Sequence, residues 1–177
     1  EPRRAHTHHP QESTTMNSVT VVGSFNVDHV WRCEALPAPG ATIAGSYSTG
    51  PGGKGFNQAV AAARAGAATR LVCALGADAG GALARELAQA DGIELLAADS
   101  TEPTGTAGIY VEGRGRNTIL VGPGANATLD TGFVDAHRSI IEALGVAPTH
   151  AAVWLHALWF DGPAAGAHWE LPEHFEP

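Results

Sequence analysis

The segment Gly50-Pro51-Gly52-Gly53-Lys54-Gly55-Phe56-Asn57-Gln58 decides the fold of this chain. It holds the only lysine among 177 residues, flanked by glycines and followed three residues later by an asparagine. An alanine-rich run at 59–68 follows directly and predicts a helix. Because glycine has no Cβ, a glycine turn leading into a helix lets backbone N–H groups approach an oxygen-rich ligand. The segment therefore marks a candidate ligand-binding turn, to which Lys54 and Asn57 add side-chain donors.

Two common phosphate-binding loops do not match this turn. In a Walker A loop a Ser or Thr follows the lysine and holds magnesium, whereas Gly55 follows Lys54 here. A dinucleotide fingerprint has glycines spaced as G-x-G-x-x-G, and these glycines are contiguous. Taken alone, the turn leaves two interpretations open, a purely structural turn and a ligand site.

Segments on both sides of the turn favour the ligand site. A β-branched run ends in G-S-x-N-x-D at 23–28, and P-x-P-G follows at 37–40. The turn and its helix contain G-G-K-G-x-N-Q-A from position 52. L-G-x-D-x-x-G then occupies 75–81, and G-A-N-A occupies 124–127. In their order and spacing these motifs resemble the N-terminal half of the ribokinase-like (PfkB) sugar kinases, from about 19 to 145.

Within that family the similarity to ribokinase is the strongest. The resemblance implies an α/β fold, namely a partial doubly wound, Rossmann-like ribokinase fold with a small β lid. Strands that alternate with helices independently predict a parallel, doubly wound sheet. We expect strands at 19–24, 29–33, 41–48, 69–75, 93–97, 106–111, 117–121 and 151–155, and helices at 55–66, 79–90 and 131–144.

The resemblance also implies which residues bind the sugar. The first-strand Asn and Asp of the family bind sugar hydroxyls, and they correspond to Asn26 and Asp28. A carboxylate suits a vicinal diol because it accepts two charge-assisted hydrogen bonds. Asn126 in the G-A-N-A segment is a further candidate, with a turn and helix-cap role as its alternative. The residues of the family's G-G-K-G-x-N motif face the sugar as well, and they correspond to Gly52, Gly53, Lys54 and Asn57.

Other parts of a phosphoryl-transfer site are missing from the sequence. Such a site also needs a base, an anion hole and a magnesium–nucleotide site. The family places its base and anion hole in a D-T-x-G-A-G-D motif, and the similar stretch at 130–135 lacks the second glycine and predicts a helix cap. The family's N-x-x-E motif is absent too. We therefore assign no catalytic residue and no metal ligand, and we expect this chain to bind none of the ATP, Mg²⁺ and monovalent cation that the resemblance implies for the parent enzyme.

The main hypothesis is thus a truncated ribokinase-like sugar kinase that keeps the sugar site. The parent enzyme would phosphorylate ribose or a related sugar with ATP. A nucleoside kinase parent stays open, because the same residues would hold a ribose ring in either substrate. Two further alternatives are a non-catalytic sugar-binding remnant and a non-functional fragment produced by a frameshift or an early stop.

Composition excludes several classes of partner. The net charge of −8 argues against a nucleic-acid surface, and no apolar run reaches about 18 residues, so no membrane span is expected. Cys33 and Cys73 are too few for a disulfide framework and favour buried thiols in a cytoplasmic protein. The expected partners are a small-molecule sugar and, through the lid strands, a second copy of the chain.

Three regions are expected along the chain. Residues 1–18 read as a disordered leader without the apolar segment of a signal peptide, and Met16 is the expected natural start. Residues 19–147 form the N-terminal part of the ribokinase-like domain, including the lid strands. Residues 148–177 are an atypical tail, rich in Trp and His, which we expect to be truncated or frameshifted.

Overall fold

A computed structural model describes residues 18–142 and 152–155 of the chain. The predicted leader at 1–17 and all but 152–155 of the predicted tail lie outside the described residues. The strands are β1 (Ser18–Val22), β2 (Asn26–Cys33), β3 (Ser46–Gly52), β4 (Ala68–Gly76), β5 (Glu94–Ser100), β6 (Thr106–Glu112), β7 (Asn117–Gly122) and β8 (Ala152–Leu155). The helices are α1 (Lys54–Arg64), α2 (Ala79–Ala90), α3 (Thr131–Ala136) and α4 (Arg138–Glu142), with a 3-10 helix at Gly124–Thr128.

The first sheet is parallel and has the strand order β5-β4-β1-β8. Strand β1 lies in its interior, and Val21 pairs with Leu71 on one side. Helix α1 contacts β1 and β4, and helix α2 contacts β4 and β5. Parallel neighbours need crossover connections, which these helices supply. The predicted α/β class with a parallel, Rossmann-like sheet is confirmed.

The second sheet is the lid, with the strand order β3-β2-β6-β7. Strands β2 and β6 are parallel, whereas β2–β3 and β6–β7 are antiparallel. The strands predicted at 106–111 and 117–121 are confirmed and form an antiparallel hairpin, and Gly115 in its turn has a φ of +82° that favours glycine. Chain order thus carries β1 of the first sheet directly into β2 of the lid, so the two sheets meet near residues 23–26.

The core lies between the parallel sheet and its two helices. Inward-facing residues of the strands, such as Val21 and Leu71, pack with Phe56 of α1 and Ala84 of α2. Phe25 is fully buried and meets Phe56 edge to face, with ring centroids 5.0 Å apart. Removing such a side chain from water contributes about 1.5–3 kcal/mol to stability. The core therefore anchors the residue that immediately precedes the lid.

The two cysteines are free thiols. Cys73 is buried in the core, and this burial raises the pKa of its thiol to about 12. It therefore stays protonated and unreactive at neutral pH, as predicted for a buried thiol. Cys33 is only partly buried, and its thiol lies 3.8 Å from the Val111 carbonyl oxygen.

The prediction of a strand at 41–48 is wrong in its bounds, because β3 covers Ser46–Gly52. Local β-propensity favoured the residues around Ile43. Pairing between strands places β3 later in the chain, because the antiparallel register joins Arg32 to Ser46 and Asn26 to Gly52. For the same reason β2 begins at Asn26 rather than at 29.

The prediction of one helix at 131–144 is also wrong. Asp130 does cap the start, since its carboxylate accepts from the Phe133 amide at 2.8 Å. The helix then breaks at His137, whose ring Nδ1 hydrogen-bonds the Phe133 carbonyl at 2.8 Å. Because that carbonyl is the normal acceptor for the His137 amide, the amide bonds Val134 instead. Two short helices, α3 and α4, result.

Candidate functional site

The predicted site residues of the first strand lie where β1 leaves the parallel sheet and the chain enters the lid. Asn26 and Asp28 are two apart on β2, so their side chains lie on one face. Asn26 pairs with Gly52 on β3. A Cβ at Gly52 would overlap the Asp28 carboxylate. Glycine at this position therefore makes room for the carboxylate beside the end of β3.

Gly53 turns the chain from β3 into α1. Its φ of +91° is in the region that favours glycine, and a Cβ would lie 2.5 Å from the Ser24 carbonyl oxygen. The Phe56 amide donates to the same Ser24 oxygen at 3.1 Å. The glycine turn thus docks on the backbone that precedes β2, and this places the start of α1 next to Asn26.

Lys54 and Asn57 lie in the first turn of α1 and are exposed. Being three residues apart, they face the same side of the helix. Neither side chain forms a hydrogen bond or ion pair within the described part of the chain. The first turn contains no acidic residue, and Gly53 supplies no capping side chain. No side chain therefore neutralises the positive end of the helix, although the Phe56 amide is already taken by the Ser24 carbonyl.

Asp28 is a partly buried carboxylate to which none of the described residues donates a hydrogen bond. Desolvation raises its pKa above the ordinary aspartate value, and the neighbouring His29 works in the opposite direction. No hydrogen bond or ion pair reaches the carboxylate from the residues that the structure describes. A half-desolvated acceptor of this kind can be satisfied by a ligand that donates hydrogen bonds.

Asn126 is directed into the protein. It lies on the 3-10 helix, is only 3% exposed, and brackets Phe25 with two hydrogen bonds. The Phe25 amide donates to Asn126 Oδ1 at 3.2 Å, and Asn126 Nδ2 donates to the Phe25 carbonyl at 3.0 Å. The same Nδ2 donates to Asn26 Oδ1 at 2.8 Å. Asn126 is therefore buried on the protein side of Asn26. Its contact with a sugar stays a prediction.

Asp78 supports the site from a distance, a role that the sequence reasoning did not assign. Its carboxylate caps α2 by accepting from Gly81 and also accepts from the Thr104 amide and hydroxyl at 2.7 and 2.6 Å. The Thr104 hydroxyl bond is the largest cause of its lowered pKa. The next residue, Gly105, accepts from the Val27 amide at 2.8 Å. An Asp three residues before Gly81 was the available signal for the cap.

In residues 18–142 and 152–155, no group of three His, Cys, Asp or Glu side chains is placed to hold a metal ion. We assign no described residue to Mg²⁺, to a monovalent cation or to ATP. None of the described helices combines the length and apolarity that crossing a membrane requires.

Comparison with known proteins identifies the family. Residues 16–146, most of the chain, match the family described as pfkB family carbohydrate kinase. The chain belongs to the pfkB carbohydrate kinase family. The pfkB match includes both sheets except β8, and it contains every predicted site residue.

Among curated pfkB relatives, the ribokinase of Schizosaccharomyces pombe is 41% identical over 130 residues, which cover 68% of this chain and 41% of that protein. The solved structure of a ribokinase from Giardia lamblia matches with a TM-score of 0.71 and 32% identity, covering 80% of this chain and 42% of that one. The Arabidopsis thaliana ribokinase complexed with ribose and ATP matches with a TM-score of 0.53 and 36% identity, over 63% of this chain and 37% of that one. The chain thus spans less than half the length of these relatives.

Proposed function

We propose that this pfkB chain binds ribose or a closely related sugar between β2, the end of β3 and the start of α1. The observation that carries the proposal is the partly desolvated Asp28 carboxylate, which has no partner among the described residues and lies against Gly52. The similar Arabidopsis ribokinase was solved with ribose, and this supports a sugar as the ligand. Asn26, Gly53, Lys54 and Asn57 complete the proposed site.

The chemistry of these groups is complementary to a sugar. Each sugar hydroxyl both donates and accepts, so a diol needs acceptors and donors at close spacing. Asp28 supplies the acceptor, and Lys54 and Asn57 supply donors from α1. Gly52 and Gly53 let the sugar ring approach the backbone closely. The proposed sugar replaces the water that would otherwise satisfy Asp28.

The activity we propose for the complete family architecture is transfer of the ATP γ-phosphate to a sugar hydroxyl, with Mg²⁺ and a monovalent cation. This sequence contains no D-T-x-G-A-G-D motif and no N-x-x-E motif. A base to deprotonate the hydroxyl and an anion hole are needed for that step. We therefore expect these 177 residues by themselves to bind sugar without phosphorylating it.

Calorimetry with D-ribose and a coupled ATPase assay test the proposal. We expect saturable ribose binding to the wild type, loss of binding in Asp28→Ala, and unchanged binding in Asp135→Ala, which removes an exposed carboxylate on α3. Equal ribose affinity in the wild type and in folded Asp28→Ala would reject the sugar site. Ribose phosphate formed above background by pure protein would reject the expected lack of turnover.

We also propose that the lid mediates self-association. Among the residues that the structure describes, strands β3 and β7 are the edges of the lid sheet, and no further strand pairs with their outer backbone groups. The lid also exposes large apolar side chains, including Trp31, Tyr47, Ile119 and Leu120. Exposed apolar patches on a sheet are typical of protein interfaces. A second copy of the chain offers a complementary surface by symmetry.

A further inference from the structure

We infer that Asn126 is a positioning residue that fixes the side-chain amide of Asn26 as a hydrogen-bond donor in the proposed sugar site. The inference rests on the proposed function and specifies which polar groups that site offers. Two hydrogen bonds link Asn126 to Phe25. Those bonds join a side-chain amide to both backbone groups of one residue, 101 positions away.

The orientation of the Asn126 amide is determined by this bracket. The Phe25 amide can only donate, so it must face Asn126 Oδ1, and the Phe25 carbonyl can only accept, so it must face Nδ2. If the Asn126 amide were flipped, its Nδ2 would face the Phe25 amide, donor against donor. Its Oδ1 would face the Phe25 carbonyl, acceptor against acceptor. The usual uncertainty between oxygen and nitrogen in an asparagine is therefore resolved by the partners.

The orientation of Asn26 follows from that of Asn126. The second proton of Asn126 Nδ2 points at the Asn26 side chain, 2.8 Å away, and requires an acceptor there. The atom in contact is Oδ1 of Asn26, so its Nδ2 is the other arm of the amide. No described residue accepts from Asn26 Nδ2. Asn26 is half-buried, and its two N–H groups, which have no acceptor in the described part of the chain, are available to a ligand.

Gly105 holds the pair together. A Cβ at Gly105 would overlap Asn126 Nδ2 and would lie 2.5 Å from Asn26 Oδ1. The two amides thus pack directly on the Gly105 backbone, whose carbonyl accepts from the Val27 amide. Three segments that are far apart in sequence meet at this contact. Any side chain at Gly105 would displace both amides.

Asn26 offers donors and Asp28 offers acceptors, two residues apart on one face of β2. The site therefore fits a diol in which one oxygen accepts from Asn26 and its neighbour donates to Asp28. An acceptor without a proton, such as fluorine, can replace the first hydroxyl but not the second. Without Asn126, the Asn26 amide is free to turn and this distinction is lost.

The binding test uses Asn126→Asp, Asn26→Ala and the double variant, each titrated with D-ribose and with its monodeoxy and monofluoro analogues. A carboxylate at 126 keeps the shape but loses both donors, and its second oxygen repels Phe25 O and Asn26 Oδ1. We expect at least a tenfold loss of ribose affinity in Asn126→Asp and no further loss when Asn26→Ala is added. Asn117→Asp, on the exposed strand β7, is the control for charge and should bind as wild type does.

A merely structural role for Asn126 predicts a different result. The two substitutions would then reduce affinity by factors that multiply, and all analogues would weaken equally. Either finding overturns the inference. Wild-type protein that binds no pentose would reject the proposed function instead, and the inference is then decided by a measurement that needs no ligand.

That measurement is hydrogen exchange of the side-chain amides by NMR. Both Nδ2 protons of Asn126 should exchange slowly, and those of Asn26 should exchange as exposed amide protons do. Asn26→Ala should release one Asn126 proton and leave the other protected by Phe25. Protected Asn26 protons, or fast exchange of both Asn126 protons in the wild type, would overturn the assignment of the donors.

Discussion

At the scale of single residues, the Asp28 carboxylate, which we propose binds the ligand, lowers the stability of the folded chain when it is charged. Its pKa is raised mainly because part of its hydration is lost in the folded chain. A raised pKa in the folded state means that the charged form is less stable there than in the unfolded chain. The stability linked to Asp28 is therefore complete below the ordinary aspartate pKa of about 3.9. It is lost as the pH rises through the raised folded value.

The first prediction follows from this dependence of stability on pH. Asp28→Asn should raise the free energy of unfolding at neutral pH, because the uncharged amide avoids the desolvation of a carboxylate. The gain should shrink as the pH falls through the raised pKa and vanish below about 3.9. Urea unfolding of both proteins across this range measures the difference. A destabilised Asp28→Asn at neutral pH would show that the carboxylate has a stabilising partner.

The second prediction concerns Gly52. In Gly52→Ala the new methyl group should displace the Asp28 carboxylate and reduce ribose affinity by about 2–3 kcal/mol, the range for lost hydrogen bonds to a charged group. Gly50→Ala, on the same strand, places its Cβ in open space and should bind ribose normally. Calorimetry on both variants makes the comparison. Equal affinities would contradict the placement of the carboxylate against Gly52.

At the scale of elements, the junction of β3 and α1 depends on the backbone of Gly53. A side chain there meets two obstacles, an unfavourable positive φ and the backbone at Ser24 and Phe25. Gly66, after α1, has nearly the same φ of +90° but no atom within 4 Å of a Cβ. Both substitutions therefore introduce the strain of a positive φ, and Gly53→Ala adds steric overlap and a ψ of 128° that lies outside the left-handed helical region.

The third prediction uses this matched pair. Gly66→Ala should lower the free energy of unfolding by about 1–2 kcal/mol, the cost of the left-handed conformation alone. Gly53→Ala should cost more, about 3 kcal/mol or above, because the backbone of the neighbouring turn must also move. Denaturant unfolding gives both values. Similar losses in the two variants would show that the turn adjusts freely to a Cβ at 53.

At the scale of the whole molecule, the lid is the surface that distinguishes the chain from an ordinary soluble domain. Leu120 is 74% exposed, and its strand β7 is exposed along its whole length. Trp31 stacks on Tyr110, with ring centroids 5.3 Å apart, and contacts Tyr47 on the opposite neighbouring strand. An apolar, aromatic sheet with open edges favours association.

The fourth prediction is that the chain forms a dimer or larger species at tens of micromolar, about the range in which weak homodimers appear. Leu120→Lys should shift this equilibrium toward the monomer, because a charge would be buried in the interface. Gln89→Lys adds the same charge on the exposed side of α2 and should have no effect. Light scattering compares the three proteins. A monodisperse wild-type monomer would exclude association through the lid.

Local sequence patterns determined the positions of most elements and several site residues. Glycines at 52, 53 and 55 indicated a close approach of a ligand to the backbone. The structure shows each of them packed against the chain itself, and the ligand contact stays a prediction. The helix predicted at 79–90 is α2, and Asp91-Gly92 ends it, with Gly92 at a φ of +67°. Such features depend on the conformational preference of one or two residues, so they are readable without a partner. The predicted strand at 29–33 left out Asn26 and Asp28, so their common face on β2 was not predicted from the sequence.

Tertiary structure alone decided the features that depend on distant partners. The register of β3 is fixed by pairing with β2, and the break at His137 by competition for one carbonyl. The sequence left Asn126 as either a candidate sugar-binding residue or a turn and helix-cap residue. Its bonds to Phe25 and Asn26 span about 100 positions. The orientation of the Asn26 side-chain amide, with Oδ1 toward Asn126 and Nδ2 toward the site, follows only from that contact. Hydrogen bonds between side chains depend on three-dimensional proximity and direction, which no local pattern encodes.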